Sequence, residues 1–170
     1  YMSLNITSRR NLELTEKMNN KGKKGTLLWV LDKTYTSMGG RLLRKWINEP
    51  LIDVIEINKR LNAVEELKDN LIFRGDITDC LKRIYDIERL VGKIAYGNTN
   101  ARDMISLKNS LKQLPYLKNI LGTSKSELLQ NLYINLDELT DIHDLIEKAI
   151  VEDPPIAITE GGIIKLGYNE

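Results

Sequence analysis

The sequence predicts a mainly α-helical, multi-helix core-domain bundle with at most a short strand or hairpin at its two ends. Three observations carry this. Apolar residues recur every three or four positions almost throughout, runs that alternate apolar and polar over five or more residues are scarce, and capping side chains stand just before several of the periodic stretches. At 170 residues the chain has room for one substantial core, on a prior of ~100–200 residues per domain.

Taken in order, Met2 to Asn5 is a possible short strand, and Thr7 is placed to cap a short helix through Leu14. Lys21-Gly22-Lys23-Lys24-Gly25 reads as an exposed turn, and Thr26 caps the apolar segment Leu27 to Leu31. Thr36 or Ser37 caps the next helix, with Leu42, Leu43, Trp46 and Ile47 on one side, until Pro50 ends it near Asn48. Asp53 opens a helix whose Val54, Ile57, Leu61 and Val64 form a stripe for burial. Asp86 caps another, with Ile87, Val91 and Ile94 inside. Gly97-Asn98-Thr99-Asn100 is a loop whose last residue caps a helix with Met104, Leu107, Leu111 and Leu114 on its inner face, and Pro115 ends or restarts it. A last helix is expected from about 125 to 152, with Leu132, Leu136, Leu139, Ile142, Ile146 and Ile150 inward, before Asp153-Pro154-Pro155 stops it. The Gly- and Ile-rich segment 156–168 has room for a strand or hairpin.

Composition and motifs remove most chemistry. Apolar residues at 42% and charged residues at 29% exclude a disordered or disulfide-rich class. The longest uncharged apolar runs, Thr26 to Leu31 and Ile156 to Thr159, fall far short of the ~18 residues of a membrane span. One cysteine and one histidine form neither a disulfide nor a Cys/His metal cluster, and with no secretory signal a cytoplasmic setting is expected. No glycine satisfies the phosphate-binding pattern G-x-x-x-x-G-K-S/T or G-x-G-x-x-G, so no catalytic, cofactor or metal residue is assigned. His143 reads as a ring bordering the core with a wet edge, and Cys80 as a small half-buried side chain. Asp137, Glu138, Asp141, Asp144 and Glu147 read as the solvated face of a helix.

Charge is distributed unevenly. Residues 1–45 hold ten Lys or Arg against three acids, while 46–170 hold fifteen against twenty-one. The basic stretch surrounds a turn, so Lys21, Lys23 and Lys24 are the candidates for weak, non-specific phosphate contact; with no aromatic residue interleaved to stack bases, a solvated loop is the plainer reading.

Specific residues add a family. Leu4-Asn5-Ile6-Thr7-Ser8-Arg9-Arg10-Asn11-Leu12-Glu13-Leu14 and Leu31-Asp32-x-Thr34-x-Thr36-x-Met38-Gly39-Gly40-Arg41-Leu42-Leu43-x-x-Trp46-Ile47 resemble two segments of the MutS core domain, known as domain III. Pro50-Leu51-x-Asp53 with Ile57, Arg60 and Ala63-Val64 is similar to its next helix. Asp86-Ile87-Glu88-Arg89-Leu90, Ala101-Arg102-Asp103-Met104, Ala149-Ile150, Pro154-Pro155 and Gly161-Gly162-Ile163-Ile164-x-x-Gly167-Tyr168-Asn169-Glu170 continue the resemblance across essentially the whole chain. Asn5 stands where the family usually has aspartate, Ser37 where proline is common, and Thr159-Glu160 where arginine-aspartate precedes the glycine pair.

The resemblance implies that residues 1–170 are a core domain cut from a longer, bacterial DNA mismatch-recognition ATPase, and the abrupt ends at Tyr1 and Glu170 fit that expectation. Mismatch-binding and connector domains are expected before it, lever, clamp and ATPase domains after it. The fragment itself is expected to be no enzyme and to hold no cofactor, with ATP and Mg confined to the absent ATPase domain. Mismatched double-stranded DNA, a homodimeric parent and a MutL-type repair partner are the implied partners, at the bacterial nucleoid and not at a membrane. The other readings are a free-standing helical adaptor for protein partners and a paralogue in recombination control.

Overall fold

Side chains that accept a backbone N–H start most of the helices in the computed structural model, which describes residues 1–19 and 21–168. The helices are α1 (Ile6–Asn11), α2 (Leu27–Leu31), α3 (Ser37–Asn48), α4 (Val54–Asp69), α5 (Leu71–Leu81), α6 (Ile87–Ala95), α7 (Ala101–Leu111), α8 (Leu114–Leu121), α9 (Glu127–Asn135) and α10 (Thr140–Ala149). Thr26, Thr36, Asp53, Asp86 and Asn100 cap α2, α3, α4, α6 and α7 as expected, and Asn70 caps α5. Asn100 does so in a closed box, taking the Asp103 N–H while the Asp103 carboxylate takes its own. The fold class is mainly α. The last two residues of the family-like ending, Asn169 and Glu170, lie outside the described residues.

Several expectations are corrected. Asn5, not Thr7, caps α1, its side-chain oxygen 2.6 Å from the Ser8 nitrogen, and the helix stops at Asn11 rather than Leu14. The departure from aspartate at position 5 therefore keeps the cap. Residues 2–5 form no strand; the Met2 N–H donates to the Pro50 carbonyl instead. The expected helix over 125–152 is two, because the Asp137 carboxylate takes the Leu139 N–H at 3.0 Å and Leu139 adopts a left-handed φ of 50°. A short acidic side chain bonding its own backbone two residues on competes with helix continuation. At the C-terminal end the hairpin reduces to one antiparallel bridge, Ile150 with Ile164, beyond a 3₁₀ turn at Ile158–Glu160.

Burial also departs from the predicted stripes. On α4, Val54, Leu61 and Val64 face solvent and Ala63 is buried, since α5 and α9 pack on the Ala63 side. On α6, Leu90 is buried while Val91 and Ile94 are exposed, as α7 is its main helical neighbour. Leu42 and Trp46 of α3 and Leu132 and Ile142 of α9 and α10 are also exposed, and Leu136 and Leu139 are only half-buried. The stripe expected from Met104 to Leu114 holds: Leu107 and Leu111 of α7 and Leu114, the first residue of α8, are buried, and Met104 is half-buried.

Two hydrophobic cores result among the described residues. The first gathers Ile84, Leu90, Ala101, Leu107, Leu111, Leu114, Ile146 and Ile150. The second gathers Ala63, Phe73, Leu121 and Leu129. Leu114 and Leu121 are the two ends of α8, and Leu117 packs against both cores. No described helix is long and apolar enough to cross a membrane.

Leu111 is 2% exposed, so Leu111→Ala removes buried atoms and leaves a cavity, with an expected loss of ~2–5 kcal/mol. Val64→Ala, at 59% exposure, should stay within ~0.5 kcal/mol. Urea titration of both variants checks the assignment of inner and outer faces.

Candidate nucleic-acid interface

The basic first quarter of the chain is shaped by one buried hydroxyl. Thr26, 1% exposed, donates to the Lys23 carbonyl at 2.8 Å and accepts the Trp29 N–H at 3.2 Å, so the lysine-rich turn is fastened directly to the start of α2. Leu27 and Leu28 in turn donate to the carbonyls of Glu13 and Leu14, which docks α2 on the segment after α1. Gly25 takes φ 93°, a conformation that side chains rarely adopt, and closes the turn.

The three candidate lysines do not share one site. Lys21 lines a hollow of about 410 Å³ with Arg9, Arg10, Lys17 and Glu16. Lys23 lines a second pocket of about 510 Å³, between α2 and α3, with Trp29, Lys33, Arg41, Arg44 and Asp32. Lys24 is exposed and lines neither. The sequence shows no aromatic residue interleaved with these charges. In the structure Lys23 and Lys33 line the same pocket as Trp29, a grouping that the residue order alone does not show. The only local signal was Thr26, whose cap sets both halves of that geometry.

Next to this pocket, the segment from Asp32 to Arg41 builds a joint. The Asp32 carboxylate accepts both the hydroxyl and the N–H of Thr34, at 2.7 and 3.2 Å, which holds its pKa below the usual carboxylate range, helped by Lys23 and Lys33. Thr36 caps α3 at the Gly39 N–H. A Cβ on Gly40 would stand 3.2 Å from the Thr34 hydroxyl, so glycine lets that turn lie tight against α3. Ser37 fills the first helical position, where a backbone N–H has no acceptor within the helix and proline is equally compatible.

Arg41 then carries the joint to the first core. Its guanidinium bonds both carboxylate oxygens of Asp86, at 2.8 and 2.7 Å, and also Glu88. Asp86 at the same time caps α6 through the Arg89 N–H. Hydrogen bonding to Arg41 holds the Asp86 carboxyl below its ordinary range and raises the guanidinium's own pKa.

The remaining candidates have structural partners. His143 is half-buried, Nδ1 3.0 Å from Asp144, beside a hollow it shares with Leu111 and Tyr116. Burial pushes the half-buried Cys80 thiol up, the opposite of activation. Glu138 pairs with Lys118, and Glu147, exposed as expected, also holds buried Lys108 at 2.6 Å and reaches Lys165.

Residues 7–166 match the model of the MutS domain III family. The chain is 57% identical to the DNA mismatch repair protein MutS of Ruminiclostridium cellulolyticum, over 99% of this chain and 19% of that protein. It is 54% identical to the MutS of Acetivibrio thermocellus, over 100% and 20%, and 59% identical to that of Clostridium beijerinckii, over 99% and 18%. The chain thus spans about a fifth of the length of these curated relatives.

The Asp86 and Asp103 carboxyls are held low by Arg41 and Lys93 respectively, so both contribute stability that is full at neutral pH. It is lost as pH falls below the unfolded value of ~3.9 and through the depressed folded values. Arg41→Gln should therefore narrow the gap between urea midpoints at neutral and acid pH. An unchanged gap would mean that Arg41 adds nothing to the joint.

Proposed function

This chain belongs to the MutS domain III family, and on that premise we propose that it is the structural and allosteric core of a DNA mismatch-recognition protein, linking mismatched-DNA binding to ATP turnover in other domains. Mismatch-binding and connector domains precede it and lever, clamp and ATPase domains follow it in the parent. ATP and Mg belong to that ATPase domain, and the parent acts as a homodimer with a MutL-type partner in the bacterial cytoplasm. The fragment is not itself an enzyme.

The observation that supports this reading most strongly is the bridging of two hydrophobic cores by one helix, within a chain that matches the family along residues 7–166. Coupling between distant ligand sites needs packed elements that move as units, since well-packed interiors transmit strain instead of absorbing it. Exposed Val54, Ile55, Leu61 and Val64 on α4, and Ile156, Ile158 and Ile164 near the C-terminal end, leave apolar surface for neighbouring domains to cover. Lys21, Lys23 and Lys24 add weak, sequence-independent contact with DNA phosphates.

Leu117→Ala in the full parent tests the coupling. Basal ATP hydrolysis should persist while stimulation by a mismatched duplex falls about tenfold, a loss of coupling within the usual ~1–3 kcal/mol. Unchanged stimulation would contradict the reading. For the isolated chain, calorimetry should show no micromolar ATP binding. Matched and mismatched duplexes should bind alike, on the order of 10⁻⁴ to 10⁻⁶ M at physiological salt, and alanine at Lys21, Lys23 and Lys24 should flatten the salt dependence. A tenfold preference for the mismatch would place base readout in this chain and sink the scaffold assignment.

A further inference from the structure

The pocket between α2 and α3 combines features that a site for duplex phosphates does not need. Trp29 stands in its wall with half its surface exposed. The other tryptophan, Trp46, has the Arg60 guanidinium stacked 3.6 Å from its ring centre, and Tyr35 has the Lys82 ammonium 5.4 Å away; among the described residues no cation lies over Trp29. Lys23, Lys33 and Arg44 line the same pocket. Among the described residues the single carboxylate in the wall is that of Asp32, and one of its oxygens is engaged by Thr34. Arg41 is committed to Asp86 and Glu88, so it fixes the wall of α3 in place and leaves ligand contact to the other three cations.

A stacking surface flanked by cations is the arrangement that receives an unpaired base with its neighbouring phosphates. In a duplex the bases are stacked on one another and turn only their edges outward, so a half-exposed ring in a protein wall meets no free base face there. The pocket volume of about 510 Å³ lies within the ~300–1,000 Å³ of small-ligand sites, enough for one nucleotide unit and too small for a helix. A second basic hollow adjoins it. Arg44 lies 4.0 Å from Glu16, and Glu16 lines the adjoining hollow with Arg9, Arg10, Lys17 and Lys21.

We propose that this pocket binds single-stranded nucleic acid, seating one unpaired base on Trp29 while Lys23, Lys33 and Arg44 hold the phosphates beside it. The proposal rests on the phosphate-contact reading of the basic face and adds to it a strand preference and a base contact.

The test uses the chain carrying Trp46→Phe, which leaves Trp29 as its sole tryptophan. A twelve-residue thymidine oligonucleotide and a twelve-base-pair duplex are titrated separately while Trp29 fluorescence and anisotropy of a labelled nucleic acid are followed. The single strand should quench Trp29 and the duplex should not. Trp29→Ala should weaken single-strand binding on the order of tenfold, the usual value of one base stack, and leave duplex binding within twofold. Trp29→Phe should restore most of the loss, which separates stacking from misfolding. Lys23→Ala with Lys33→Ala should lower the single-strand salt slope by ~0.7 for each phosphate no longer neutralised. Equal single-strand affinity in Trp29→Ala, or equal quenching by duplex, overturns the proposal. If duplex binding still depends on Lys21, Lys23 and Lys24 in that case, the phosphate-contact reading survives; absence of binding to either nucleic acid removes both.

Discussion

Leu114 and Leu121 stand at opposite ends of one eight-residue helix, each buried in a different core, with Leu117 between them touching both. At ~1.5 Å per residue the two ends are about 10 Å apart, and the rod between them is hydrogen-bonded throughout. Helices α4 to α10 all contribute buried residues to these two cores. The helices α7 and α10 close on its first end, α4, α5 and α9 on its second, and neither group can shift along α8 without opening a cavity at the other. A chain of such short helices would otherwise be a loose string. Here α8 joins the two cores.

Charged groups extend that body outward. Arg41 ties α3 to the first turn of α6, Glu147 ties buried Lys108 of α7 to α10, and Arg102 donates to the Pro154 carbonyl at 3.0 Å where the chain turns away after α10. Glu66 of α4 accepts the N–H groups of Lys125 and Ser126 at the start of α9; burial raises its carboxyl, and those donors outweigh burial, leaving it below the ordinary range. The exposed pairs are individually weak in water, ~0–1 kcal/mol, and their value is positional. They fix the angle at which peripheral helices leave the two cores, including the α3 wall beside Trp29.

Local chemistry was legible in the sequence and global packing was not. Thr26, Thr36, Asp53, Asp86 and Asn100 each cap the helix that their identity and position imply, because a cap needs only two or three following N–H groups. The stripe on α4 misled because periodicity reports an apolar face without saying what will cover it: Val64 is bare while Ala63, a small residue outside the stripe, is where α5 and α9 come close. Leu139 hid the break between α9 and α10, since nothing about leucine announces a left-handed backbone and the cause, Asp137, looks like an ordinary surface acid. The family resemblance rested on specific residues quoted in the sequence, and the match over residues 7–166 shows the family. The pocket that Trp29, Lys23 and Lys33 line together stayed invisible because it depends on how the turn and α2 fold, not on any helical repeat.

The central claim, that α8 makes two cores one cooperative body, is tested most directly by native-state amide exchange on Leu129→Ala. Leu129 belongs to the second core alone. If the cores are coupled, this truncation lowers the opening free energy of amides around Leu111 and Ile146 in the first core by the same amount as those around Phe73 in the second. Loss of protection confined to Phe73 and its neighbours, with Leu111 and Ile146 unchanged, would show two independent units and contradict the account.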